Sequence, residues 1–330
     1  MSAQAARAGE PSTQRAPASA LQLGFVGLGR MGGNMVHRLR RDGPFTIIAF
    51  DPNRQARDAV QELGATPVAS LQELVAALHP PRGVWIMVPA GRITQDTVDT
   101  LLSLLEPGDT IIDGGNSNYH DTIIRGTTAS EKGIAFVDAG TSGGVWGLQV
   151  GYCLMVGGDT EAVERYRPIF ETLAPPDGFL HVGPTGAGHF VKMVHNGIEY
   201  GMLQSYAEGF AVLEAKQDFG NLDLHAIAHL WNQGSVVRSW LLELAERAFD
   251  RDPRLESIRG WVEDSGEGRW TVEESLQLSV PAPVLALSLM MRYQSRLPDA
   301  FGNKVIAALR NEFGGHAVRP EEQAQRTTAG

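Results

Sequence analysis

From Leu21 onward the chain alternates short apolar runs with longer amphipathic stretches. Leu21–Val26, Phe45–Phe50, Val84–Val88, Thr110–Asp113, Ile134–Asp138 and Tyr152–Val156 are short and rich in Val, Ile and Phe, the composition of strands. Between them, Met31–Arg41, Asn53–Leu63, Leu71–Leu78, Ile93–Leu105 and Asp121–Lys132 repeat their apolar residues at the helical period. This alternation predicts an α/β, Rossmann-type, doubly wound and mainly parallel sheet. Past about residue 184 the strand runs stop and long helical patterns take over, broken at Gly220-Asn221, Asp252-Pro253, Gly266–Gly268 and Pro281–Pro283. The expected organisation is an α/β domain over 21–183 followed by an all-helical domain over 184–318. Residues 1–20, rich in Ala, Ser, Pro and Gln, and residues 319–330 read as disordered tails.

Length and charge narrow the functions open to such a chain. Its 330 residues, 43% of them apolar, suffice for two cores. A net charge of −10 sets the global field against nucleic acid and against an anionic membrane, so neither is an expected partner. An anionic small substrate must instead be captured by local arginines. The single cysteine, Cys153, lies in an apolar run and cannot build a disulfide framework, so it is expected as a strand residue. The longest candidate for a membrane span, Ser279 to Met291, is interrupted by Pro281 and Pro283 and falls short of the roughly 18 residues a span needs. A cytoplasmic location follows as the expectation. Trp231, Trp240, Trp261 and Trp270 all fall in the helical part, where core packing or a subunit interface accounts for them.

Two constellations carry chemistry. Gly27-Leu28-Gly29-Arg30-Met31-Gly32 follows a predicted strand and opens a predicted helix, the context a dinucleotide fingerprint requires. The first glycine permits the turn, the second lets a pyrophosphate approach backbone N–H groups, and the third lets helix and strand pack closely. The next strand ends in Asp51, 24 residues beyond Gly27. Its carboxylate can accept hydrogen bonds from ribose hydroxyls and repels a 2′-phosphate, which favours NAD over NADP, with Arg54 as the residue able to offset that preference. Val88-Pro89-Ala90 ends a later strand, where a loop can cover the nicotinamide half.

The second constellation is Lys192, His195, Asn196 and Glu199, which fall within roughly a 100° arc of a helix, while Val191, Val194, Ile198 and Met202 mostly turn elsewhere. An ion pair between Lys192 and Glu199 on a half-exposed face is the plain alternative. The preceding Gly183-Pro184-Thr185-Gly186-Ala187-Gly188 lets backbone or ligand come close, with Thr185 as the expected N-cap, so the stripe starts where a loop meets a cleft.

At this point the residues resemble 6-phosphogluconate dehydrogenase, the decarboxylating enzyme, in its short NAD-preferring bacterial form. The resemblance rests on Gly27–Gly32, Asp113-Gly-Gly-Asn-Ser117, Thr141-Ser-Gly-Gly144, Gly186 to Gly201 (GAGHFVKMVHNGIEYG), Gly268-Arg-Trp-Thr271 and Arg310-Asn-Glu-Phe-Gly-Gly-His316, in family order across almost the whole chain. It implies oxidative decarboxylation of 6-phosphogluconate to ribulose 5-phosphate, a reaction of the pentose phosphate pathway. Lys192 would take the 3-hydroxyl proton while C3 gives hydride to the nicotinamide, which requires a partly neutral lysine. Once protonated it would hold the 3-keto oxygen as CO₂ departs. Glu199 would protonate C1 of the enediol. Asn116, Ser142, Gly143, Gly144, His195 and Asn196 resemble the residues that hold the sugar acid, and Asn116 also borders the nicotinamide. Tyr200, Arg269 and Arg292 resemble the phosphate-binding group, joined by Arg310 and His316, which in the family come from a neighbouring subunit. A homodimer or homotetramer is thereby implied. The family often has lysine where Arg269 stands, which keeps the charge.

No metal is expected, because the β-keto acid supplies its own electron sink and His225 and His229 lack the glutamate of a zinc protease motif. Two rival readings share the fold. A 3-hydroxyacid dehydrogenase that does not decarboxylate would need no arginine clamp for phosphate. A catalytically silent NAD-binding sensor would have little use for two titratable groups on an apolar helix.

Overall fold

Period-two alternation along the strands decides which side chains meet which layer of helices. The structure is a computed structural model that describes residues 21–297, 299–314 and 317–319. The expected tail at 1–20, and that at 319–330 except Arg319, lie outside the described residues. In chain order the first part runs β1 (Gln22–Val26), α1 (Arg30–Asp42), β2 (Thr46–Phe50), α2 (Arg54–Glu62), β3 (Thr66–Val68), α3 (Leu71–Ala77), β4 (Gly83–Ile86) and α4 (Arg92–Leu104). It continues with β5 (Thr110–Asp113), α5 (Tyr119–Glu131), β6 (Ala135–Ser142), α6 (Gly147–Val150), β7 (Cys153–Gly157), α7 (Thr160–Leu173) and β8 (Phe179–Gly183). Six helices follow: α8 (Ala187–Ala215), α9 (Leu224–Asn232), α10 (Trp240–Arg251), α11 (Glu267–Gln277), α12 (Pro283–Gln294) and α13 (Phe301–Gly314).

The eight strands form one sheet in the order β3-β2-β1-β4-β5-β6-β7-β8, parallel throughout except where β6 meets β7. Leu23, Phe25, Ile47, Trp85 and Ile112 face one layer with Met35 and Leu39 of α1 and Ile169 and Phe170 of α7. The alternate residues Val26, Ile48, Val84, Ile86 and Ile111 face the other, with Leu74 of α3 and Val98 and Leu101 of α4. Two strands and two helices of this first part are absent from the expectation drawn from sequence, α6 being only four residues long. β3 is three residues long and contains Pro67, β8 carries polar His181, and α7 holds Pro168 in its interior, each of which blurs the local signal.

The chain divides into two compact units, Met1–Val194 and His195–Gly330. The division falls inside α8, so that one continuous helix begins in the first unit and ends in the second. In the second unit Phe210, Leu224, Ala228, Leu242 and Phe249 form a small core, with Trp231 packed against it. Trp240 and Trp261 are exposed. Cys153 is the first residue of β7 and is exposed. Among the described residues no helix is long and apolar enough to cross a membrane.

Candidate functional site

The strand order reverses between β1 and β4, and in a parallel sheet the crevice outside the strand ends at such a point is where a ligand enters. Gly27 leaves β1 with φ of +93°, a conformation that L side chains rarely adopt, and a Cβ there would lie 2.3 Å from the Met87 carbonyl oxygen. A Cβ on Gly32 would lie 2.0 Å from the Gly27 oxygen, so the turn and α1 are in backbone contact. At Gly29, by contrast, nothing stands within 4 Å, and as N-cap of α1 it offers no side chain to the helix's first N–H groups. Arg30 and Met31 open the helix. An open turn at an uncapped helix N-terminus fits a pyrophosphate.

Asp51, just past β2, accepts from Leu28 N (2.7 Å) through Oδ2 and from Asn53 N (2.8 Å) through Oδ1. The carboxylate therefore ties the glycine turn to the end of β2 and still has lone pairs for ribose hydroxyls. Arg54 is exposed and lies 3.6 Å from Asp58. The same edge gathers Val88, Pro89 and Ala90 beyond β4, with Thr94 Oγ1 donating to the Pro89 carbonyl (2.9 Å). Asn116 lies beyond β5, exposed in a loop whose Gly114 N donates to Ile86 O (2.9 Å).

That loop rests on the two ends of the motif from Asp113 to Ser117 and on Arg125, to which the sequence reading gave no role. Buried Asp113 accepts from Gly115 N (3.0 Å) and Ser117 Oγ (2.7 Å), and buried Arg125 sits 3.7 Å from it. A buried charge pair held by further hydrogen bonds fixes a loop more firmly than exposed contacts do. Asp113 was legible as a carboxylate closing an apolar strand; Arg125, one basic residue in a helical pattern, carried no signal.

Lys192 stands in the second turn of α8, buried at 6% exposure. The helix lies close on the sheet because β6 offers no side chain there: a Cβ on Gly140 would be 2.5 Å from Lys192 Cβ and 2.7 Å from the Gly188 oxygen. Two residues further along, β6 ends at Ser142 and the chain turns through Gly143 and Gly144. The expected cap of α8 is corrected. Thr185 Oγ1 donates to Phe136 O (2.8 Å), and buried Asp138 of β6 takes the capping role, accepting from Gly186 N (2.7 Å) and His189 N (2.8 Å). A strand carboxylate outcompetes the local hydroxyl because it meets two N–H groups and the positive helix end with a full charge.

Further along α8, Asn196 and Tyr200 are buried, His195 and Glu199 are half-buried, and His195 Nδ1 pairs with Asn196 Oδ1 at 2.9 Å. Val191, Ile198 and Met202 are exposed. Along α8, then, Lys192, Asn196 and Tyr200 are buried while aliphatic Val191, Ile198 and Met202 are open.

In the second unit the Tyr200 ring lies under the Arg292 guanidinium, 3.4 Å from its centroid, and against Gly268, where a Cβ would clash at 2.3 Å. Arg292 Nη1 donates to the Glu263 carbonyl (2.8 Å), and Arg269, one residue past Gly268, lies 3.6 Å from Asp264. Arg310 is exposed on α13 and is joined to neither Tyr200 nor Arg292 by a hydrogen bond or ion pair among the described residues. His316 lies outside the described residues. Outside this group, His229 Nδ1 pairs with Glu246 (2.9 Å), and among the described residues no set of three His, Cys, Asp or Glu could hold a metal ion.

A glycine turn at the switch point with a strand-end aspartate, followed by a helical unit, defines a dinucleotide-binding dehydrogenase. Comparison with known proteins makes this specific. Residues 22–183 match the NAD binding domain of 6-phosphogluconate dehydrogenase, and residues 188–323 match the 6-phosphogluconate dehydrogenase C-terminal domain. The Bacillus subtilis protein YqeC, named for the same enzyme, is 48% identical over 299 residues, covering 90% of this chain and 99% of that protein. A Haloferax volcanii protein named as the NAD(+)-dependent, decarboxylating 6-phosphogluconate dehydrogenase is 42% identical over 301 residues, covering 90% and 98%. The Plasmodium falciparum 6-phosphogluconate dehydrogenase structure superposes with a TM-score of 0.77 at 26% identity, over 91% of this chain and 67% of that one. The chain belongs to the 6-phosphogluconate dehydrogenase family.

Proposed function

We propose that this chain oxidatively decarboxylates 6-phosphogluconate to ribulose 5-phosphate and CO₂ with NAD, in the pentose phosphate pathway. The observation that carries the reading is α8, which buries Lys192, Asn196 and Tyr200 while exposing Val191, Ile198 and Met202. Turning ionisable groups inward sacrifices apolar burial, and catalysis supplies the reason to sustain it. Lys192 takes the proton of the 3-hydroxyl and, once protonated, hydrogen-bonds the 3-keto oxygen, stabilising the enolate as CO₂ leaves. Glu199, seven residues on along the same helix, delivers a proton to C1. When bound, NAD supplies the acceptor for the hydride that leaves C3.

Gly27, Leu28, Gly29, Arg30, Met31 and Gly32 hold the pyrophosphate, Asp51 the adenosine ribose, and Val88, Pro89, Ala90 and Asn116 the nicotinamide side. Asn116, Ser142, Gly143, Gly144, His195 and Asn196 hold the sugar acid. Tyr200, Arg269 and Arg292 hold its phosphate, with Arg310 and His316 of a neighbouring copy. The preference for NAD is supported by Asp51, whose charge opposes a 2′-phosphate, and by Arg54, which lies beside Asp58. A homodimer or homotetramer is supported by the exposed aliphatic residues of α8, α12 and α13. The protein acts in the cytoplasm.

Purified protein with 6-phosphogluconate and either NAD or NADP, followed at the reduced-nicotinamide absorbance with CO₂ trapped, tests the reading. Faster reduction with NAD, matched by CO₂, is expected. Reduction without CO₂ would move the chain to the hydroxyacid dehydrogenases, and a faster rate with NADP would overturn the role of Asp51.

A further inference from the structure

The loop that meets Tyr200 contains a buried carboxylate that the reaction above does not use. Glu267, the first residue of α11, is 2% exposed. Its Oε2 accepts the Ser265 hydroxyl proton, and its Oε1 is buried with no hydrogen-bond partner among the described residues. Ser265 in turn meets Tyr200 twice: its N–H donates to the phenol oxygen (3.2 Å), and its Oγ lies 3.4 Å from the same oxygen.

Counting protons gives the direction of each bond. Ser265 has a single hydroxyl proton, and Glu267 takes it. Ser265 Oγ can therefore face Tyr200 only as an acceptor, and the phenol oxygen already accepts the backbone N–H. The phenol proton is left with one long contact at 3.4 Å, which a charged oxygen displaces readily. Without Glu267 the serine hydroxyl is free to donate to the phenol oxygen instead and to turn Tyr200's proton elsewhere. A carboxylate oxygen buried without a donor costs stability, and a residue serving only to pack the loop would not need it.

We propose that Glu267 is a positioning residue for the substrate's phosphate group. Acting through Ser265, it holds Tyr200 under Arg292 with the phenol poised as a donor. This rests on Tyr200 and Arg292 being phosphate ligands, and it concerns recognition of the phosphate rather than chemistry at C1 to C3.

The readout is discrimination between 6-phosphogluconate and D-gluconate, the latter followed as a slow substrate or as a competitive inhibitor. Glu267→Ala is expected to reduce that discrimination about tenfold, the value of one hydrogen bond to a charged group, with KM rising more than kcat falls. Glu267→Gln keeps a carbonyl acceptor for Ser265 and is expected to restore discrimination to within about threefold. If the alanine variant does not fold, Glu267→Asp, one methylene short of Ser265, takes its place against Gln. Equal losses on both ligands, or a loss that Gln does not reduce, would overturn the proposal. Tyr200→Phe and Arg292→Ala separate the two levels of argument. If they change discrimination and Glu267→Ala does not, the role of Glu267 alone fails. If they too leave it unchanged, the phosphate assignment fails with it.

Discussion

The two units solve burial in opposite ways. In the first, a set of large side chains, Trp85, Tyr152, Tyr166, Phe25 and Phe170, is fully enclosed between sheet and helices, although Trp146 is exposed. In the second, Phe301, Leu276, Phe219, Val284 and Leu309 are each more than half exposed. Helix α12 states the contrast by itself: Ser288 and Leu289 are buried on one face, while Val284, Leu287 and Met291 stand open on another. A helix apolar on all sides belongs in an interior, and exposed aliphatic patches of this kind mark contact surfaces. The first unit therefore holds two large enclosed clusters of its own, whereas the second has one small core and several exposed aliphatic faces, the feature on which the proposed self-association rests. The groups proposed for phosphate belong to that second unit, so substrate affinity should respond to assembly more than dinucleotide affinity does.

The largest expected effect lies on α8, the element the units share. Lys192→Met removes the only base proposed for the 3-hydroxyl, and turnover should fall by about 10²- to 10⁴-fold. NAD affinity should stay within about threefold of the parent, because the glycine turn and Asp51 are untouched. Stopped-flow reduction together with fluorescence titration separates the two, and normal turnover by this variant would remove Lys192 from the chemistry. Next in size is Leu287→Arg, which places a charge on the open face of α12. Self-association should weaken by about 30- to 100-fold in sedimentation equilibrium, the scale of a hot-spot residue in an apolar interface. NAD binding should be nearly unchanged. An arginine variant that associates like the parent would locate the interface elsewhere and dissolve the contrast between the units.

The first unit was far more legible in the sequence than the second. Strands such as Thr110–Asp113 are bounded where the apolar run ends, and the glycine turn with Asp51 announces a dinucleotide, because short-range sterics dictate both. What escaped depends on tertiary contact. Asp138 caps α8 from 48 residues away, replacing the nearer Thr185, and no local pattern reveals that a strand carboxylate will face a helix end. The stripe of Lys192, His195, Asn196 and Glu199 was visible from helical spacing alone, but the burial of Lys192 was not: the same periodicity serves a solvated face, and it is close packing on Gly140 that encloses the lysine. The Ser265–Glu267 segment showed least, since two polar residues beside a glycine read as an ordinary loop until Tyr200 is brought against them.

The smallest predicted effect probes the closed core of the first unit. Tyr152 is fully buried, and its hydroxyl oxygen has no hydrogen-bond partner among the described residues. Removing that oxygen in Tyr152→Phe leaves the ring in place and should change stability by no more than about 1 kcal/mol, with stabilisation the expected sign, because an unpaired buried polar atom is lost. The same burial pushes the phenol from 10.0 up to about 12, and Tyr166 likewise up to about 12. In the unfolded chain these phenols ionise near pH 10, while in the fold they stay neutral, so their contribution is complete below about pH 10 and drains away as pH rises toward 12. Melting temperature measured from pH 9 to 12 should therefore fall less steeply for Tyr152→Phe than for the parent. An unchanged slope would mean that the Tyr152 ring meets water in solution, and the first unit would then share some of the openness of the second.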